Sequence, residues 1–337
     1  MTIKHPITLA TAALAVALSS MIVLIAPVAA SAAPPTAGPN PTLLHAGLEG
    51  GSGSTVGPGG ALYVTESAAG RISRVDPTTG EVTTFASGLP KSIIGFGGAM
   101  DVEFIGQTAY VLVTLVGPDV GGSDIVGIYR VDGPNSFTVV ADIGAFALAN
   151  PPKTPFDLAT GVQYALESYR GGFLVTDGHH NRVLRVKRDG EVSERIAFGN
   201  IVPTGLAVRG NKVYMAEAGP VPHLPADGKV VWFGPKSPTA MQVASGAPLL
   251  VDVELARGHT LYALSQGVFG GGPAGSPALP NTGSLVQVNR DGSFTVVAEG
   301  LDRPTSLEFI GNTAYVVTLT GEIWKVDVSC PPHSGSR

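Results

Sequence analysis

The chain has 337 residues, and its 45 glycines and 27 prolines, about a fifth of the total, mark it as turn-rich. A hydrophobic content of 44 % excludes a chain disordered throughout, and glycine without a three-residue period excludes collagen. Charged residues are only 14 %, and a formal net charge of −5 lacks the basic footprint of a nucleic-acid binder.

In chain order, Lys4 precedes an apolar stretch from Ile7 to Ala26, interrupted by Pro27 and followed by Ala30-Ser31-Ala32. A charged start, an apolar middle and an Ala-x-Ala end predict a secretory signal peptide over 1–32, cleaved near Ala32-Ala33. The apolar run is also close to the roughly 20 residues that span a bilayer, so a retained anchor is the alternative. Residues 33–41 (APPTAGPNP) predict a Pro-rich extended leader. Cys330 is the single cysteine, so an internal disulfide is excluded and the exported domain must rest on packing.

From there a unit repeats six times. Short β-runs recur as Leu62-Tyr63-Val64, Ala109-Tyr110-Val111, Val213-Tyr214-Met215, Leu261-Tyr262-Ala263 and Ala314-Tyr315-Val316, with Phe173-Leu174-Val175 as the sixth copy. Each follows a strand-like segment and precedes an alternating third strand, such as Ile72-Ser73-Arg74-Val75 or Ile323-Trp324-Lys325-Val326. Fourth strands end several repeats, as in 83–89 and 295–301, and Asp-Gly pairs at 189–190 and 291–292 supply hairpin turns. Four short strands per repeat predict an all-β, six-bladed β-propeller over 42–328, with a flexible tail at 329–337. The sixth repeat stops after Asp327 without its fourth strand, and the orphan Thr42-Leu43-Leu44-His45-Ala46-Gly47-Leu48 looks like one. This N-terminal strand is expected to complete the last blade and close the ring, removing an open sheet edge.

The segments Gly59-Gly60-Ala61-Leu62-Tyr63-Val64-Thr65-Glu66, Val175-Thr176-Asp177-Gly178-His179-His180-Asn181-Arg182 and Val202-Pro203-Thr204-Gly205-Leu206-Ala207-Val208 resemble the ScyD/ScyE family of secreted propellers. The resemblance covers about 42–328, and its short motifs are shared with the NHL-repeat and SMP-30/gluconolactonase-like groups. It implies an extracytoplasmic propeller with little assigned chemistry. The chain departs from the family pattern at Leu158-Ala159-Thr160-Gly161-Val162-Gln163-Tyr164, where an Asn-Pro-Tyr-Gly type segment is expected.

In a propeller, the loops leading into each first strand and those joining second to third strands share one face. That placement predicts a rim of Glu66, Asp101, Asp177, Glu217 and Asp252, with His179, His180, Thr204 and Thr305 beside them as ligand-binding candidates. Hard oxygen ligands in a ring suit Ca²⁺ or another divalent metal, and Asp177, Glu217 and Asp252 are the candidate ligands. A metal-bound water there could open a lactone, whereas acids at strand ends also commonly cap turns; both roles stand open. Second-to-third loops are long in blades two, four and five, and His223, Leu224, Phe269 and Leu279 are the side chains expected to touch a ligand or partner. No G-x-S-x-G elbow, C-x-x-C pair or phosphate-cradling loop is present. The expected protein is a monomeric binding module for a small molecule, glycan or protein, with a metal-dependent hydrolase or lyase as the alternative.

Overall fold

The computed structural model describes residues 40–329, so the signal peptide, all of the leader but Asn40 and Pro41, and the Cys330 tail lie outside the described residues. The chain opens with β1 (Thr42–Ala46) and continues into blade one, which comprises β2 (Gly51–Val56), β3 (Leu62–Glu66), β4 (Arg71–Val75) and β5 (Val82–Ser87). Blade two is β6 (Gly98–Ile105), β7 (Thr108–Thr114), β8 (Gly127–Gly133) and β9 (Ser136–Asp142), followed by a short helix, α1 (Ile143–Ala149). Blade three is β10 (Gln163–Tyr169), β11 (Gly172–Asp177), β12 (Arg182–Val186) and β13 (Val192–Ala197). Blade four is β14 (Pro203–Arg209), β15 (Lys212–Glu217), β16 (Lys229–Phe233) and β17 (Met241–Ser245). Blade five is β18 (Leu250–Leu255), β19 (Leu261–Ser265), β20 (Gly283–Val288) and β21 (Phe294–Leu301), and blade six holds β22 (Pro304–Ile310), β23 (Thr313–Thr318) and β24 (Glu322–Asp327).

Each blade is a four-stranded antiparallel sheet with its strands in sequence order, except that β1 forms the outer strand of blade six. The orphan segment therefore closes the ring as expected: Thr42 lies opposite Lys325 and Ala46 opposite Glu322, with a bulge between Leu43 and His45. Gly80, at φ +76° in the turn before β5, packs directly on the Leu44 carbonyl, where a Cβ would collide with it.

The core is a set of sandwiches between neighbouring blades. Tyr63, Ile72, Val102 and Val111 fill the space between blades one and two, and Leu112, Ile128, Phe173 and Leu184 that between two and three. Leu174, Met215 and Phe233 join three to four, while Val253 and Ala263 pack on Val230 between four and five. Leu264, Leu307 and Val316 join five to six, and Leu62, Val64, Val317 and Ile323 lock six to one. Second and third strands are thus buried on both faces, which is why their β-branched and aromatic runs were so visible in the sequence.

Helix α1 was not expected. Asp142 caps it by accepting from the Ala145 N–H at 2.7 Å, and the Pro151-Pro152 pair follows its end. It lengthens the connection from blade two to blade three.

Candidate functional site

The acids at the ends of second strands stand opposite a base at the start of the third. Glu66 pairs with Arg71, Asp177 with Arg182 and Glu217 with Lys229. Glu66 takes Arg71 through Nε at 2.7 Å and Nη2 at 2.6 Å, accepts the Glu49 N–H at 2.6 Å and also binds Ser73. Burial alone would raise its pKa, but the Arg71, Glu49 and Ser73 hydrogen bonds outweigh burial and hold it below the usual value. Asp177 accepts from the Val162 N–H at 3.1 Å and the His180 N–H at 3.2 Å, with Arg182 Nε at 3.5 Å. Glu217 has only Lys229 to counter its burial, which pushes its pKa up to about 7.

The two histidines are held by loop backbone. His179 Nε2 accepts from the Asp157 and Leu158 N–H groups at 2.8 and 3.0 Å, and burial followed by the neighbouring His180 lowers its pKa. His180 Nε2 donates to the Leu158 carbonyl at 2.9 Å, and its Nδ1 lies 3.0 Å from Arg182 Nη2 and 3.1 Å from Asp177 Oδ2. Thr204 and Thr305 stitch blades together: Thr204 Oγ1 reaches the Leu250 carbonyl of blade five at 2.9 Å, and Thr305 Oγ1 the Gly51 carbonyl of blade one at 3.2 Å. Among the described residues, no three His, Cys, Asp or Glu side chains come together closely enough to hold a metal. Asp177, Glu217 and Asp252 are therefore not gathered into one site.

Of the expected rim, Asp101, Asp252 and Thr305 line the central channel; Glu66, Asp177, Glu217, His179, His180 and Thr204 do not. The channel holds a group that the sequence reading missed. The position opposite each second-strand tyrosine, or opposite Leu174 in blade three, recurs in equivalent register on the inner strands around the ring. It is occupied by Thr55, Glu103, Glu167, Ala207, Glu254 and Glu308. Four glutamates therefore point into one narrow shaft, with Asp101 and Asp252 one step nearer the loop face.

Asp101 and Asp252 belong to opposite blades and do the same work. Asp101 accepts from the Leu166 N–H of blade three at 2.7 Å, and Asp252 from the Leu307 N–H of blade six at 2.7 Å. Gly53 and Gly205 make room for them, since a Cβ at either would strike the neighbouring carboxylate. Thr55 donates to Glu103 at 3.1 Å. Burial pushes Glu103 and Asp252 up to about 7 and Glu254 up to about 8. It also drives Asp101, Glu167 and Glu308 well above the usual carboxylate range, with the neighbouring carboxylates adding to the rise.

Tyr164 roofs this shaft on the loop-face side. It reaches from blade three across the lumen, and its hydroxyl donates to the Thr305 carbonyl of the opposite blade at 2.9 Å. The remaining cavity is about 30 Å³, room for roughly two waters.

Around the mouth, the connections of successive blades interlock. Ile93 packs on Gly122, and Asp119 accepts from the Thr160 N–H at 3.1 Å and its hydroxyl at 2.7 Å. Asn181 accepts from the Ile201 and Val202 N–H groups, each at 2.9 Å, and Ala218 N–H donates to the Val202 carbonyl at 2.9 Å. The His223 and Phe269 rings meet edge-on at 5.2 Å. The result is a crescent running from the connection between blades one and two round to blade five, open where the short loops 319–321 and 67–70 lie. Nine of the thirteen exposed large apolar side chains of the described residues sit on it, among them Ile94, Ile125, Phe156 and Leu224.

No protein-family model matches the sequence, nor does any curated protein. Solved structures do resemble it. A gluconolactonase from Xanthomonas campestris matches at 12 % identity and a TM-score of 0.58, over 85 % of this chain and 89 % of that one. A PQQ-bound aldose sugar dehydrogenase from Streptomyces coelicolor matches at 16 % identity and a TM-score of 0.57, over 87 % and 99 %. A virginiamycin B lyase from Staphylococcus aureus matches at 14 % identity and a TM-score of 0.54, over 85 % and 98 %. At such identities the likeness is one of fold: this chain shares its six-bladed β-propeller with these proteins.

Proposed function

We propose that the chain is an extracytoplasmic binding module of ScyD/ScyE type, which holds a small molecule, glycan or protein on its loop-rich face. The observation that carries this reading is the interlocked crescent, an ordered wall of apolar side chains around the channel mouth. The state of the acids supports binding over catalysis. Glu66 is committed to Arg71 and a backbone N–H group, Asp177 holds two backbone N–H groups on Oδ1 with Arg182 nearby, and Tyr164 stands between the mouth and the channel carboxylates. The N-terminal sequence supports export, and N-terminal sequencing of protein recovered outside the cell tests cleavage near Ala32-Ala33. The ligand reading is tested by thermal shift against a panel of monosaccharides, oligosaccharides and lactones. A shift with at least one class, lost in Phe156→Ser with Ile125→Ser, is expected. A flat response across the panel sinks the small-molecule and glycan forms of the reading.

A hydrolase or lyase reading has one observation in its favour, a Glu217 carboxyl that titrates near neutrality at the rim. The residues do not fit the metal this chemistry was expected to use. Asp177 takes two N–H donors on Oδ1 and, among the described residues, has no second carboxylate or histidine pair gathered with it to complete a metal site, and Asp252 is held in the channel by the Val253 and Leu307 N–H groups. Lactone hydrolysis with added Ca²⁺ or Zn²⁺, abolished by chelator and by Glu217→Gln, would overturn the binding reading in favour of this one.

A further inference from the structure

The blade-four and blade-five part of the crescent differs in chemistry from the rest. Its two loops, 218–228 and 266–282, hold 28 residues with a single charged side chain, Asp227, and no lysine or arginine. Val221, Leu224, Val268 and Leu279 are 48 %, 54 %, 51 % and 47 % exposed. Ordered backbone holds them outward. His223 Nδ1 donates to the Gly219 carbonyl at 2.7 Å, and Phe269 forms a β-bridge with Ala278. Leu279 N–H donates to the Val268 carbonyl at 2.8 Å, and Thr282 Oγ1 accepts from the Val268 N–H at 2.9 Å. Beneath them Ala218, Leu249 and Ala278 form one buried cluster, so the two loops make a single surface. Rigid, contiguous apolar surface of this kind is kept where a partner covers it.

We propose that this patch pairs with the same patch of a second copy of the chain about a twofold axis. Charge permits that occupant. Two copies of an acidic chain repel on approach, and this patch adds little to that repulsion because each side brings one partly buried carboxylate. A surface that meets itself must be self-complementary, which an uncharged apolar patch satisfies without matched charges. Its size also suits the role, because 22 of the 28 residues are not buried and a standard interface uses about 20 to 30 residues a side. A lipid surface is the poorer occupant, since none of these residues is a cation that could meet headgroups. The pairing replaces the monomer expected from sequence and stands independently of the ligand reading.

Sedimentation velocity on the purified chain, from about 1 to about 100 µM, tests it, a range set by the modest size of such an interface. A dimer is expected, with Leu224→Asp plus Val268→Asp weakening it at least about tenfold and Met241→Asp on outer strand β17 leaving it intact. Leu279→Ser is the second probe if the aspartate pair fails to melt like the parent. A monomer at every concentration overturns the proposal and leaves the patch to a different protein. A dimer that survives both patch variants, or that Met241→Asp dissolves, overturns it as well.

Discussion

At the scale of single residues, the hydroxyls and carboxylates that first looked like ligand contacts mostly hold blades together. Thr204→Val keeps the side-chain shape and deletes the bond to the Leu250 carbonyl, so it should cost about 1 kcal/mol in a denaturant titration. It should leave any ligand-induced thermal shift unchanged, which a ligand-binding threonine would not. Tyr164→Phe should cost a similar amount, about 1 kcal/mol, by freeing the Thr305 carbonyl. The rim acids were legible as acids at strand ends, but their bases were not, because Arg71, Arg182 and Lys229 become partners only once the hairpin register is known. The channel glutamates were hidden for a related reason. Glu103, Glu167, Glu254 and Glu308 lie scattered along the chain, and alternation alone cannot tell a lumen-facing carboxylate from a solvent-facing one. The usable signal was their constant place seven or eight residues before the second-strand tyrosine or its Leu174 counterpart.

At the scale of elements, the repeat carried nearly everything. Second and third strands packed on both faces give the dense β-branched runs that set the blade count, and the missing fourth strand of the last repeat located β1. Helix α1 escaped because seven residues make too short a periodic pattern to separate from a loop. Removing β1 should cost far more than its five residues imply, since it bares the edge of β24. A chain beginning after Ala46 is expected to lose its single cooperative melting transition and to aggregate, as read by calorimetry and light scattering. Gly80→Ala is the milder probe. Its left-handed backbone and the Leu44 carbonyl against it predict a loss of at least about 1 kcal/mol.

At the scale of the whole molecule, four of the six blades each contribute a glutamate to a shaft that concentrates carboxylates. Their folded pKa values lie above the unfolded ones, about 7 for Glu103 and Asp252 and about 8 for Glu254. The folded state therefore holds protons that the unfolded chain releases. This contribution to stability is fully present below the unfolded values near pH 4 and is lost as pH rises through 7 and 8. Glu66 has the opposite sign, and its contribution disappears as pH falls below its depressed value. The melting temperature should accordingly decline between about pH 5 and pH 9. Glu103→Gln with Glu254→Gln should flatten that decline in calorimetric scans across the range. A profile in the double variant as steep as the parent's would show that these carboxylates do not carry it.

The closure of blade six also sets an order of events in time. Thr42 and Lys325 are register partners, yet nearly the whole described chain lies between them. The first strand to leave the ribosome must wait for the last before either is paired, and joining such distant segments carries a large loop-closure entropy. The inner blades can assemble from local hairpins in the meantime, so ring closure is expected to be the final step of folding. In pulsed hydrogen exchange during refolding, the amides of β1 and β24 should be the last to become protected. Until then the protein carries two open sheet edges, a period in which it depends on being kept from its neighbours.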